Sequence, residues 1–323
     1  HTSLRVGLAT ERGIITSAYT TLRPIDTSNS KYLYYLLHAF DLKKGFYGMG
    51  SGVRQGLNYA EVKELRVVLP GQDEQNAIVR FLDNQCGQID SIIEEAKSSI
   101  EEYKKWRASI IFEAVTKGLN PLAEMKDSHI DWIGLVPSHW KLSRIKNELD
   151  NLDYLREPIS AEKRENILGL YDYYGASGVI DKIDDYNVDD KVLLIGEDGA
   201  NLRMRNLPLV YKAEGKFWVN NHAHILKVHD DNCYGFIAYL LEAGDYSVFI
   251  TGSAQPKLSQ FNLMRFPIVI PPLVEQQEIE AYLDEKCSAI DALIREKKSL
   301  LSELEIYKRS LILETVTGKR KVV

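Results

Sequence analysis

Residues 67–117 and 268–318 are the same passage written twice. Each copy is too long and too regularly striped to fold as anything but a long helix. VVLPGQDEQNAIVRFLDNQCGQIDSII (Val67–Ile93) aligns without a gap on IVIPPLVEQQEIEAYLDEKCSAIDALI (Ile268–Ile294), 201 positions further on. The register still holds where IIFEAVT (Ile110–Thr116) faces LILETVT (Leu311–Thr317). A β-branched run (Leu65–Leu69, Phe266–Ile270) ends in proline, and Asp73-Glu74-Gln75 or Glu275-Gln276-Gln277 then supplies the acidic start that suits a helix N-terminus. The first stripe runs Ile78, Leu82, Cys86, Ile89, Ile93, Ala96, Ile100, Tyr103, Arg107, Ile110; the second runs Ile279, Leu283, Cys287, Ile290, Ile294, Lys297, Leu301, Leu304, Lys308, Leu311. No Pro or Gly interrupts Gln88–Lys117 or Val274–Thr317. Each copy therefore predicts one helix of about 40 residues, roughly 60 Å at 1.5 Å per residue.

A polar helix with one apolar stripe needs a partner. The simplest partner is the other copy, in an antiparallel intramolecular coiled coil; an intermolecular coiled coil is the alternative. In the antiparallel case Cys86 and Cys287 lie on opposite sides of the pseudo-twofold, too far apart for a disulfide. Three cysteines, two at matching repeat positions, fit reduced, buried thiols in a cytosolic protein. No apolar run approaches the roughly 20 residues of a membrane span. His1–Thr10 lacks the basic and apolar stretches of a signal peptide.

With 323 residues, 45% hydrophobic and 27% charged, the chain has room for two or three globular domains. A net charge of −6 is unusual for a nucleic-acid binder, but the distribution is uneven. Asp181–Asp190 is acidic, whereas Asn201–Ile270 carries an excess of Lys and Arg.

Asn120–Phe266 reads as an α+β domain dominated by sheet. It opens with Asp131-Trp132-Ile133-Gly134 and Pro137-Ser138-His139-Trp140. Strand-like runs follow at Asn166–Tyr171, Lys191–Ile195, Pro208–Lys212, Phe217–Val219 and His224–Val228, with a helix at Cys233–Ala243. Gly13–Arg66 offers a strand (Ile14–Pro24), a helix (Lys31–Phe40), a glycine loop (Gly48–Gly52) and a closing strand. The 201 offset sets residue 1 opposite Leu202, so the first domain is expected to lack its front and the chain to be a fragment or the ordered part of a longer one.

Four glycine-containing turns carry side chains able to meet base edges or phosphates. In Tyr173-Tyr174-Gly175-Ala176-Ser177-Gly178 the candidates are Tyr174 and Ser177, with a plain hairpin turn as the alternative. The turn Gly196–Arg205 contributes Arg203 and Arg205, suited to guanine or phosphate. Trp218–His224 contributes Asn221 and His222; a satisfied structural network is the alternative, and zinc lacks a third ligand at useful spacing. Thr251–Lys257 contributes Gln255 and Lys257, echoed by Arg54 and Gln55 in Gly50–Gly56. No Gly-x-Ser-x-Gly, His-Glu-x-x-His, Walker or dinucleotide motif is present, nor an Asn/Asp-Pro-Pro-Tyr/Phe motif, so no catalysis is expected.

The domain–helix–domain–helix order resembles the specificity (S) subunit of type I restriction–modification systems. So do the phrases Asp131-Trp132-Ile133-Gly134…Pro137-Ser138-His139-Trp140, Gly252-Ser253-Ala254-Gln255-Pro256-Lys257-Leu258 and Pro271-Pro272…Glu275-Gln276. Similar phrases to Tyr173-Tyr174-Gly175-Ala176 and Phe217–His224 are common in the family's target-recognition domains. The resemblance implies an α+β fold with two target-recognition domains separated by two long helices. Residues 1–70 would be the end of the first domain, 71–119 the first spacer helix, 120–271 the second domain and 272–323 the second helix. It implies a non-catalytic cytoplasmic subunit reading a bipartite double-stranded DNA target, the helices setting the spacing. Its partners would be two modification (methyltransferase) subunits, which hold S-adenosylmethionine, and restriction (motor–nuclease) subunits, which use ATP and Mg; this chain would bind no cofactor or metal. A coiled-coil scaffold joining two protein-binding modules, or the recognition part of a recognition–methyltransferase fusion, are the competing readings.

Overall fold

The computed structural model describes residues 6–16, 18–24, 29–49, 59–164, 169–252 and 255–322. The two repeated passages form helices Gln72–Lys117 (46 residues) and Leu273–Val316 (44 residues). The chain divides into two compact units, one of His1–Glu102 with Ala292–Val323, the other of Tyr103–Asp291. Each unit thus takes the start of one long helix and the end of the other.

In the first unit, Ile78, Leu82, Cys86, Ile89 and Ile93 form a buried stripe with three- and four-residue steps. They pack with Leu311, Ile312 and Val316 from the end of the second long helix, and because Asp90 meets Lys308 while Lys97 lies near Glu305 the two segments run antiparallel. The predicted short helix is present as Ser30–Leu42, capped by Asn29, whose side chain accepts the Lys31 and Tyr32 N–H groups. It adds Tyr32, Tyr35 and Ala39 to this core, and the Tyr35 hydroxyl donates to Asp83 at 2.9 Å.

The second unit repeats the arrangement with the helices exchanged. Ile111, Ala114 and Val115, from the end of the first long helix, share a core with Ile279, Leu283 and Cys287 from the start of the second. The predicted helix at Cys233–Ala243 is present as Tyr234–Ala243, and the Tyr239 hydroxyl donates to Asp284 at 2.7 Å. Of the three cationic positions in the stripes, Arg107, Lys297 and Lys308, two meet an aspartate. Lys308 binds Asp90 at 2.6 Å in one unit, and Arg107 meets Asp291 at 3.1 Å in the other. By the 201 offset these are the same pair of positions with the helices exchanged.

The second unit is built on a six-stranded sheet, ordered Leu149–Asn151, Ala223–Val228, Val188–Gly196, Val210–Val219, Tyr171–Gly175, Gly178–Ile183. All neighbours are antiparallel except Tyr171–Gly175 beside Val210–Val219. The central strand is buried on both faces, hence its unbroken Val192-Leu193-Leu194-Ile195 run. Leu193 and Ile195 face the core with helix Tyr234–Ala243, while Val192 and Leu194 face Phe217, Val219 and Ile225. Pro208–Lys212 and Phe217–Val219 belong to one strand, Val210–Val219, which contains Gly215 at φ 82°. The helix Gly199–Met204 carried no sequence signal.

Two strand expectations for the first unit fail. The described part of Ile14–Pro24 holds no strand, and neither does Leu65–Leu69. The physical reason is clearest by comparison. Pro267–Ile270 is a strand because it pairs with Lys141–Arg144, which buries Ile268 and Val269 completely. Among the described residues Arg66–Leu69 has no such partner, and Val68 is 79% exposed. The predicted glycine loop at Gly48–Gly52 lies partly, and Arg54 and Gln55 wholly, outside the described residues.

Candidate functional site

The four glycine-containing turns of the second unit converge on Gly196–Asp198. The Glu197 N–H donates to the His222 carbonyl at 2.9 Å, joining the second turn to the third. Leu258 N–H donates to Glu197 O at 3.0 Å and Gly199 N–H to Pro256 O at 2.9 Å, which adds the fourth. The first turn closes the group: a Cβ at Gly196 would collide with the Ala176 carbonyl, and Asn220 N–H donates to Tyr174 O at 3.0 Å. Gly196 thus suits the close approach of a second backbone.

A chain of charges runs beneath this edge. Glu197 takes Arg156 at 2.6 Å on one oxygen and Lys257 at 3.1 Å on the other. Arg156 also meets Asp153 at 3.3 Å. Buried His224 lies between Asp153 (2.6 Å at Nδ1) and the Leu258 carbonyl (2.8 Å at Nε2). Burial alone would raise the Asp153 and Glu197 carboxyls. The hydrogen bonds from His224 to Asp153, and from Arg156 and Lys257 to Glu197, outweigh it and hold both below the ordinary carboxylate range. The network braces the turns against one another.

Ser177, Asn221, His222, Gln255 and Lys257 are exposed on or beside these turns. Arg203 is exposed on helix Gly199–Met204, whose N-cap Asp198 accepts the Ala200 N–H at 3.0 Å. Arg203 has no hydrogen-bond or ion-pair partner among the described residues. Two expected positions are used differently. Arg205 donates to the carbonyls of Glu242 (2.9 Å) and Gly244 (2.6 Å), so it caps the end of helix Tyr234–Ala243 instead of remaining free for a ligand. The Tyr174 ring is half-buried against Phe217, 5.5 Å between centroids.

Sequence reading missed Arg156, Asp153 and Glu197 as the frame of this edge, because their partners lie 41 to 71 positions away in the chain. It set zinc at His222 and His224 aside for want of a third ligand, without finding what His224 does hold. Both its ring nitrogens face protein acceptors, and among the described residues no group of His, Cys, Asp or Glu is arranged to hold a metal. No helix among the described residues is long and apolar enough to cross a membrane.

A family model described as type I restriction modification DNA specificity domain matches residues 137–303. A Haemophilus influenzae protein bearing the name of a type I restriction enzyme specificity subunit is 33% identical over 146 residues, 45% of this chain and 36% of its own. The Escherichia coli type I restriction enzyme EcoprrI specificity subunit is 26% identical over 116 residues, 36% of this chain and 28% of its own. The chain thus spans about a third of the length of the curated relatives it matches. One solved chain, from work on complex assembly and conformational transition of the type I R-M system, aligns at a TM-score of 0.67 with 15% identity. The alignment covers 89% of this chain and 70% of that one, and at this identity the likeness is one of fold.

Proposed function

The chain belongs to the type I restriction–modification DNA specificity family, and from that premise we propose that its second unit reads one part of a double-stranded DNA target through the edge built around Gly196–Asp198. The convergence of four turns supports this most directly. It gathers Ser177, Asn221, His222, Gln255 and Lys257 on one exposed edge, with Arg203 on the helix that follows, over a rigid hydrogen-bonded frame. Amides, hydroxyls and cations of this kind pair with base edges and phosphates.

The first unit belongs to a second reading domain, and the long helices serve as the spacer that sets the unread base pairs between half-sites. Their docking surfaces take two modification subunits and, through the assembled complex, restriction subunits. On this reading the chain itself is non-catalytic. Methyl transfer with S-adenosylmethionine, and ATP- and Mg-dependent translocation and cleavage, belong to those partners in the cytoplasm.

The test is DNA binding by the modification complex assembled around this chain, carrying Arg203→Ala or Lys257→Ala. Each variant is expected to bind its target at least several-fold more weakly while assembling normally. Unchanged affinity and unchanged methylated sequence across substitutions of all six exposed residues would sink the assignment.

A further inference from the structure

Beside the reading edge, Arg144, Lys146, Gln260, Phe261, Met264 and Arg265 line an open cleft of about 590 Å³. Arg144, Lys146 and Arg265 are exposed, and none has a carboxylate partner among the described residues. The nearby acids are already engaged. Glu148 is buried and held by Lys141, Ser143 and Asn232, and Asp150 meets His229 at 3.2 Å. Three uncompensated cations in one cleft stand out in a chain whose net charge is −6.

The cations rest on fixed backbone. Arg144 ends the strand paired with Pro267–Ile270, opposite Pro267, and the neighbouring Ile145 N–H donates to Phe266 O at 3.1 Å. Helix Gln260–Arg265 is capped by Ser259, buries Leu263 and is tied down by Asn262, which donates to Phe249 O at 2.7 Å. Phe261 is 66% exposed beneath the Arg265 guanidinium, 4.9 Å from the ring centroid to the guanidinium carbon. The cleft is also joined to the reading edge. Gln260 follows Lys257 by three residues and donates to Asn151 at 2.7 Å, two residues before the Asp153 that holds His224.

We propose that Arg144, Lys146 and Arg265 form a phosphate-anchoring cleft that grips the DNA backbone next to the bases met by the loop edge. This rests on the DNA-reading role above and adds a sequence-independent contact to it. Ligand phosphates fit the site better than a protein surface for two reasons. The cations are spread around an open hollow with no carboxylate among its lining residues, and they adjoin an edge already suited to nucleic acid. Such contacts fix register and orientation without choosing a sequence.

The test uses the assembled modification complex with Arg144→Ala/Lys146→Ala/Arg265→Ala, measuring DNA affinity against salt concentration by fluorescence anisotropy. Neutralising three phosphate contacts lowers the slope of log K against log salt by about 2.7, roughly 0.9 for each. The ranking of target over single-base mismatches stays unchanged, and Arg144→Lys/Arg265→Lys keeps most of the slope. An unchanged slope overturns the cleft while leaving the loop edge standing, provided Lys257→Ala still weakens binding. Loss of mismatch discrimination would make these residues base readers and also overturn it. Loss of a modification subunit with an unaltered slope would assign the cleft to an acidic protein face. If the unmutated complex binds no DNA, the underlying reading fails first.

Discussion

Gln276 accepts the backbone N–H of Cys233 at 2.8 Å, the N-cap of the short helix that docks on the second long helix. Its amide nitrogen donates to the Pro271 carbonyl at 2.9 Å. Gln75 does the same in the first unit, accepting Asn29 N–H at 3.0 Å and donating to Pro70 O at 2.9 Å. One glutamine thus ties the first turn of each long helix to the chain entering it and to the helix beside it. The long helices repeat at 201, but the docked residues repeat at 204 (Asn29 to Cys233, Tyr35 to Tyr239). An ungapped comparison therefore ends before reaching them.

Gln276→Ala leaves a buried donor and acceptor unmet, and is expected to lower the unfolding free energy by about 2–3 kcal/mol. Gln75→Ala, whose bonds are only part-buried, should cost about 1 kcal/mol. Urea denaturation of each variant checks both values. Equal effects would mean that the two dockings contribute alike despite their burial.

The Asp90–Lys308 and Arg107–Asp291 pairs are partly exposed, so each is expected to contribute about 0.2–1 kcal/mol of coupling, reduced by salt. A double-mutant cycle on each pair measures this. The charge exchange Asp90→Lys/Lys308→Asp should recover most of the stability that either single reversal loses.

Asp153, Glu197 and Glu148 are all held below their ordinary range in the folded state, each by hydrogen bonds that outweigh burial. The unfolded chain therefore binds protons first as pH falls. Their stabilisation is complete above the unfolded carboxylate values, about 4, and is lost as pH drops through the folded ones. Melting temperature should be flat with respect to these groups from pH 5 to 7 and fall steeply below pH 4. Glu197→Gln should reduce that slope, and an unchanged acid limb would contradict the charge network.

The Cys233 thiol is pushed up to about 11 by burial and by its hydrogen bond to Glu280, and Cys86 and Cys287 are raised by burial. All three are free and buried. Thiol-reactive dyes at pH 7.5 should modify the folded chain far more slowly than the denatured one, because thiolate is the reactive form. Glu280→Gln should lower the Cys233 value and speed its labelling at alkaline pH.

Much of the helical architecture was legible without coordinates. The stripes at Ile78–Ile110 and Ile279–Leu311 located both long helices, and two of the cationic stripe positions, Arg107 and Lys308, turned out to be paired with aspartates. The strand expected at Leu65–Leu69 was misread because strand formation depends on a neighbour, and β-branched residues alone cannot supply one. The carbonyl partners of Arg205 were hidden for a similar reason. Nothing local to Gly196–Arg205 reveals the helix end that its guanidinium caps.

The sequence by itself determined the two long helices, their duplication and the identity of the polar turns, because helical periodicity and turn chemistry are written in neighbouring residues. Only the tertiary structure decided that the turns meet around Gly196–Asp198. It also decided that His224, Asp153, Arg156 and Glu197 brace them, and that Arg144, Lys146 and Arg265 share one cleft. Those relationships join residues tens of positions apart, and they exist only where sheet pairing closes that distance.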